Sequence, residues 1–180
     1  QDALPAGLFV KPGTSVANKN AFVNFGAWMN SLARERMGRP LLIANSADLA
    51  ESTGIAGFAK DFEGKPGFGW YDRVKNPGGA LMPQQITEFT NSGLAVGAAT
   101  VNMSSEPEAE FLGYWTGTST YGSFSYLKYG LMRLFSQLAQ DCPLKVGKVI
   151  WVVGHSGPET AEDSRTHFGI FAPGVTQLLP

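Results

Sequence analysis

KVIWVVGHSGPETAEDSRTHF, residues 148–168, is the stretch that decides the fold. It opens on an apolar, β-branched run, Val149, Ile150, Trp151, Val152 and Val153, which halts at Gly154. His155, Glu159, Glu162, Asp163, Arg165, Thr166 and His167 crowd the polar segment behind it. Continuous apolar strands belong to parallel sheets covered on both faces, and such sheets bind ligands outside the carboxyl ends of their strands. The stretch reads as a buried strand feeding a loop that carries chemistry. Both histidines of the chain, His155 and His167, lie in it.

Working upstream, the spacing of Ala21, Phe22, Phe25, Met29 and Leu32 predicts a helix that Thr14 or Ser15 can cap and that Gly38 and Pro40 stop. Leu41, Leu42, Ile43 and Ala44 then form a short strand ending in the polar cluster NSADLAEST. Residues 54–83, rich in Gly, Pro and scattered aromatics, read as a long surface excursion. Pro83 suits the first turn of a helix running through QQITEFTNSGLAVGAATV, with Glu88 inside it between Ile86 and Phe89. A second excursion is expected at 103–118, then a strand at 121–124. A helix with Leu127, Leu131, Leu134, Phe135 and Leu138 on one face follows, and another begins after His167. Helix and strand alternate, so the expected architecture is α/β, a three-layer α/β/α sandwich around a mostly parallel sheet.

The 180 residues, 43% apolar, suffice for one domain, 1–180, with a sizeable core. A formal net charge of -1 supplies no broad basic surface, so neither nucleic acid nor an anionic membrane is an expected partner. Cys142 stands alone, which excludes an internal disulfide framework and a cysteine-rich zinc site; a cytoplasmic location is expected. No apolar run approaches the ~18 residues a membrane span needs. Both ends look cut, and the expectation is a piece of a longer protein.

Taken in order, SADL at 46–49, ITEF at 86–89, YGSF at 121–124 and GHSGPETAEDSRTHF at 154–168 resemble the central domain of transketolases. In that family this domain holds the pyrimidine ring of thiamine diphosphate. The last block is the most specific: two histidines at the family's spacing, with Glu162, Asp163 and the Thr166, His167 pair in register. The resemblance spans roughly residues 15–171, the two excursions aside.

The resemblance implies a role for each matched residue. The cofactor reacts through a thiazolium ylid, made when its own aminopyrimidine shifts to an imino form and removes a proton. A sheltered carboxyl group bonded to the ring nitrogen drives that shift, and Glu88 is the residue assigned to it. The alternative is a solvated helix carboxylate. Phe124 would stack on the ring, since an aromatic wall suits a flat heterocycle; ordinary core packing is the alternative. Asp48 would line the cofactor cleft, or else cap the turn after its strand.

His155, Asp163 and His167 would face a sugar or other carbonyl substrate, the histidines relaying protons and Asp163 recognising a hydroxyl. A metal site built from these three is less favoured, because no third histidine or thiolate completes a zinc set. Ser52 matches a serine that grips the substrate's terminal phosphate. Asn18 stands where that phosphate would meet an arginine, and an amide cannot supply the arginine's bidentate cationic fork. Leu127 and Gly130 likewise replace two further aromatics of the pocket, with Tyr126 and Tyr129 one position away.

Transketolases hold the diphosphate and its divalent metal, here expected to be magnesium, through a Gly-Asp-Gly motif on a separate domain. No such motif occurs in this chain. The expected arrangement is therefore a shared site, completed by a diphosphate-binding domain or subunit, in a homodimer. The expected activity is that of a transferase moving a two-carbon ketol unit, the isolated 180 residues being inactive. A phosphoketolase-like or dihydroxyacetone synthase-like enzyme, or a non-catalytic docking domain of the same fold, are the alternatives.

Overall fold

The computed structural model describes residues 4–101, 103–106, 113–141, 146–154 and His167. Helix α1 (Lys19–Met37) carries its apolar stripe toward the sheet. It ends where Gly38 adopts a left-handed conformation, φ 67°, and returns its N–H to the Arg34 carbonyl. The helix starts later than Thr14 or Ser15 would place it, with Asn18 at its amino-terminal boundary. Strand β1 (Leu42–Ser46) follows. Asn30, buried on α1, clamps the two together: its amide nitrogen donates to the carbonyls of Leu42 and Phe58 at 2.7 and 2.6 Å, and its oxygen accepts from the Leu42 N–H at 2.8 Å.

Among the described residues the sheet has three parallel strands in the order β1-β2-β3, with β2 (Trp115–Tyr121) between β1 and β3 (Lys148–Gly154). The architecture is α/β, as expected, with helical layers on both faces. One face receives α1 and a 3-10 helix (Ile55–Ala59). Leu42, Ala44, Ala50, Ile55, Phe58 and Leu81 form the buried cluster there, and Phe22, Phe25 and Met29 of α1 pack on it. Burying one such aliphatic or aromatic side chain stabilises the fold by about 1.5–3 kcal/mol. The other face receives α2 (Glu88–Ala99), and α3 (Tyr129–Asp141) packs on α2. Among the described residues no helix is long and apolar enough to cross a membrane.

Four local expectations are corrected. Residues 54–83 are not wholly a surface excursion. Ile55 and Phe58 enter the core, and Ala80 and Met82 hydrogen-bond to Ala44 on the outer edge of β1. The span 103–118 is not all excursion either, since it contains the start of the central strand. Residues 121–124 are not a strand, for β2 ends at Tyr121 and a 3-10 helix (Gly122–Lys128) takes over. Finally, α2 does not start near Pro83. Gln84 and Gln85 are held outside it by bonds to the Ala50 N–H and the Ser46 carbonyl, which puts Glu88 at the helix start.

The helix expected after His167, and Glu108 and Glu110 of the second excursion, lie outside the described residues. Strand β3 is half-buried apart from an exposed Lys148, and among the described residues it has a neighbouring strand on one side only.

Candidate functional site

The sequence WTGTSTY of β2 organises the site, and its polarity has a structural cause. Successive side chains of a strand point to opposite faces. Gly117 lies against the core: a Cβ there would come within 2.8 Å of Ile55 and 3.0 Å of Phe58. Thr116, Thr118 and Thr120 face the other way. The Thr116 hydroxyl donates to the Ala95 carbonyl of α2 at 3.0 Å, the Thr120 hydroxyl donates to Glu88 Oε1 at 2.8 Å, and Thr118 Oγ1 accepts from Lys128 Nζ at 2.8 Å. A threonine ladder thus replaces the aliphatic face usual in a parallel sheet.

Glu88 is only 7% exposed, whereas Ile86 and Phe89 are 79% and 64% exposed. Its shelter therefore does not come from those apolar neighbours, as the sequence predicts. It comes from the end of β2. Placement in the first turn of α2 also suits a negative charge, because unpaired N–H groups there give the helix end a partial positive charge.

Lys128, the last residue of the 3-10 helix, is 2% exposed. Burial holds its amine down, from an ordinary value of 10.5 to about 7, while the charge of Glu88 acts in the opposite sense. Sequence reasoning missed this residue. Its signal was available: Lys128 shares a helical face with Phe124, Leu131 and Phe135, at intervals of four, three and four.

Past the end of β2, the half-buried Phe124 and Tyr121 both present ring edges to His167, with centroids 5.2 and 6.0 Å away. Ser123 between them is buried, and its hydroxyl has no hydrogen-bond partner among the described residues. Tyr121 carries its hydroxyl to within 3.4 Å of Ser52 Oγ. Ser52 is exposed, and its carbonyl accepts from Lys19 Nζ at 3.1 Å. A cation therefore stands one residue after Asn18. Asn18 and Lys19 line an open groove of about 370 Å³ with Thr53 and the apolar residues of β3. Asp48, just past β1, is exposed and adopts a left-handed backbone, φ 64°. Leu127 and Tyr126 are exposed on the 3-10 helix.

The carboxyl ends of β1 and β2 thus bring together Ser52, Tyr121, Phe124 and His167, with Glu88 and Lys128 behind the threonine ladder. His155 and Asp163 lie outside the described residues, as do Glu162 and Thr166. Among the described residues no group of three His, Cys, Asp or Glu side chains could hold a metal ion. A buried acid, an orphaned buried hydroxyl and an aromatic ring beside one strand end suit a flat, hydrogen-bonding heterocycle. The pyrimidine ring that the resemblance implies is a heterocycle of that kind.

Among solved structures, the chain is similar to transketolase from Campylobacter jejuni subsp. jejuni NCTC 11168, with a TM-score of 0.54 and 17% identity over 87% of this chain. It spans about a fifth of that transketolase's length, 20%. No family model and no curated protein matches the chain. The likeness is one of fold, a parallel α/β sheet layered between helices as in a transketolase.

Proposed function

We propose that this chain is the pyrimidine-binding domain of a transketolase-like, thiamine diphosphate-dependent transferase that moves a two-carbon ketol unit between carbonyl substrates. The observation that carries the reading is Glu88, a carboxyl group 7% exposed and bonded to Thr120 at the end of the central strand. When bound, the cofactor supplies the nucleophilic carbon and the electron sink of the reaction.

The chain's own residues bind and orient. Glu88 shares a proton with the ring nitrogen through a hydrogen bond, and Phe124 covers the ring and keeps water off it. Ser123 offers its unpaired hydroxyl to a ring substituent, and Asp48 lines the mouth of the cleft. His167, braced edge-on by Phe124 and Tyr121, moves protons at the substrate oxygen together with His155, and Asp163 reads a hydroxyl. Ser52 and Lys19 meet the far end of the substrate, so an anionic group is accommodated without an arginine at position 18.

Diphosphate and magnesium are held by another domain or subunit, in a homodimer. Exposed Ile86, Phe89 and Leu94 on and beside α2, with Leu127 and Leu134 beyond, support a covering partner on this side.

Calorimetric titration of thiamine diphosphate with magnesium tests the reading, on the chain alone and with the complementary domain. The expected outcome is weak binding alone and tight binding in the reconstituted pair, lost in Glu88→Gln. Unchanged binding and turnover in Glu88→Gln would favour the docking-domain alternative, and acetyl phosphate as product would indicate phosphoketolase chemistry.

A further inference from the structure

The threonine ladder of β2 holds two ionisable groups side by side. Thr120 bonds Glu88 and Thr118 bonds Lys128, each at 2.8 Å, and the two threonines lie two residues apart on one face of the strand. Two strand residues span about 6.6 Å. The carboxyl group and the amine do not form a direct ion pair, yet both are withdrawn from water, where charges act over longer distances than at a surface. A lysine is rarely buried unless it answers a charge.

Among the described residues, the groups that could compete are few. Helix α2 carries no other charged side chain, and β2 adds only the Tyr121 hydroxyl, turned to Ser52. The early turns of α3 add the Tyr129 hydroxyl, bonded to Ser125, and an exposed Arg133. Strand β3 adds an exposed Lys148 at its far end, and His167 packs against the rings of Phe124 and Tyr121. Among the described residues, Glu88 is the one acid that faces Lys128.

We propose that Lys128 is a positioning residue, the buried counter-charge of Glu88, which holds that carboxyl group in place and oriented toward the ring nitrogen of a bound heterocycle. No bond is made or broken by the amine. Its field acts through the carboxylate, and only while it carries a proton. With its amine held near 7, the charge is present in mildly acidic solution and fades as pH rises. The inference rests on the role proposed for Glu88, but the pairing can be tested without the cofactor.

The side-chain ammonium of Lys128 is followed by NMR in the 180-residue chain as pH is raised, in wild type and in Glu88→Gln. The titration midpoint is expected to fall by about half a unit to one unit in the variant, where the supporting charge is gone. The same midpoint in both proteins, or a midpoint near that of an exposed lysine, would overturn the pairing. With the complementary domain present, thiamine diphosphate affinity of the wild type is expected to drop between pH 6 and pH 9. In Lys128→Arg, which stays charged, it should hold steady, and in Lys128→Met it should be weakened at both, by about threefold to tenfold at pH 6. Equal pH profiles for wild type, arginine and methionine variants would remove the positioning role. If Glu88→Gln leaves thiamine diphosphate binding intact while the Lys128 midpoint still moves, the cofactor reading has failed and the charge pairing stands.

Discussion

Thr120 stands 32 positions beyond Glu88 in the chain, yet its hydroxyl is the group that holds the Glu88 carboxyl at 2.8 Å. Thr120→Val keeps the shape of the side chain and removes the donor. A buried acceptor that loses its partner costs about 1–3 kcal/mol, so urea unfolding of Thr120→Val should show a loss in that range. A change below about 0.3 kcal/mol would mean that Thr120 does not hold the carboxyl group. Glu88, Phe124 and His167 could be singled out from their motifs, and Glu88 could be assigned a sheltered position. The source of the shelter could not, because the neighbours that local spacing offers, Ile86 and Phe89, turn outward at the start of α2 while β2 and the 3-10 helix close over the acid. Lys128 was overlooked for the same reason: a lysine in a polar turn reads as solvated until the fold folds it inward.

At the scale of elements, the contact between α1 and the 3-10 helix Ile55–Ala59 depends on missing side chains. A Cβ on Gly57 would fall 2.4 Å from the Val23 carbonyl oxygen, a backbone atom that cannot swing aside. Gly57→Ala should therefore destabilise by about 1–3 kcal/mol or more through overpacking. Gly97 is the control: it lies within α2, and a Cβ there meets nothing within 4 Å. Gly97→Ala should stabilise by about 0.5–1 kcal/mol, since alanine loses less backbone freedom in a helix. Thermal unfolding of the two variants should move in opposite directions. Helix α1 and strand β3 were readable because periodicity and a β-branched run are local signals. Strand β2 was not. Its threonines satisfy their hydroxyls on α2 and on Lys128, and its glycine admits Ile55 and Phe58, so it shows neither alternation nor an apolar run.

For the whole molecule, proton linkage gives stability a defined pH dependence. The Lys128 amine is depressed from 10.5 to about 7 on folding, so between those values the unfolded chain binds more protons than the folded one. Stability from this group is complete above pH 10.5, is lost as pH falls toward 7, and changes no further below. Asp72, whose carboxylate accepts the Lys75 and Val74 N–H groups, is held low and loses its contribution only in strong acid. Urea midpoints should rise from pH 7 to pH 9 in the wild type, and Lys128→Met should flatten that rise while standing above the wild type at pH 7. A parallel slope in both proteins would assign the dependence to other groups. The residue order by itself determined an α/β chain with a parallel sheet, an apolar strand at 149–153, and one glutamate worth testing, because hydrophobic periodicity and motif order are written along the chain. Only the tertiary structure decided that a polar segment is the central strand, that 54–83 helps build the core, and that a buried lysine answers Glu88. Those outcomes depend on partners brought together across tens of residues, where hydrogen bonds and burial, rather than local pattern, determine which polar groups leave water.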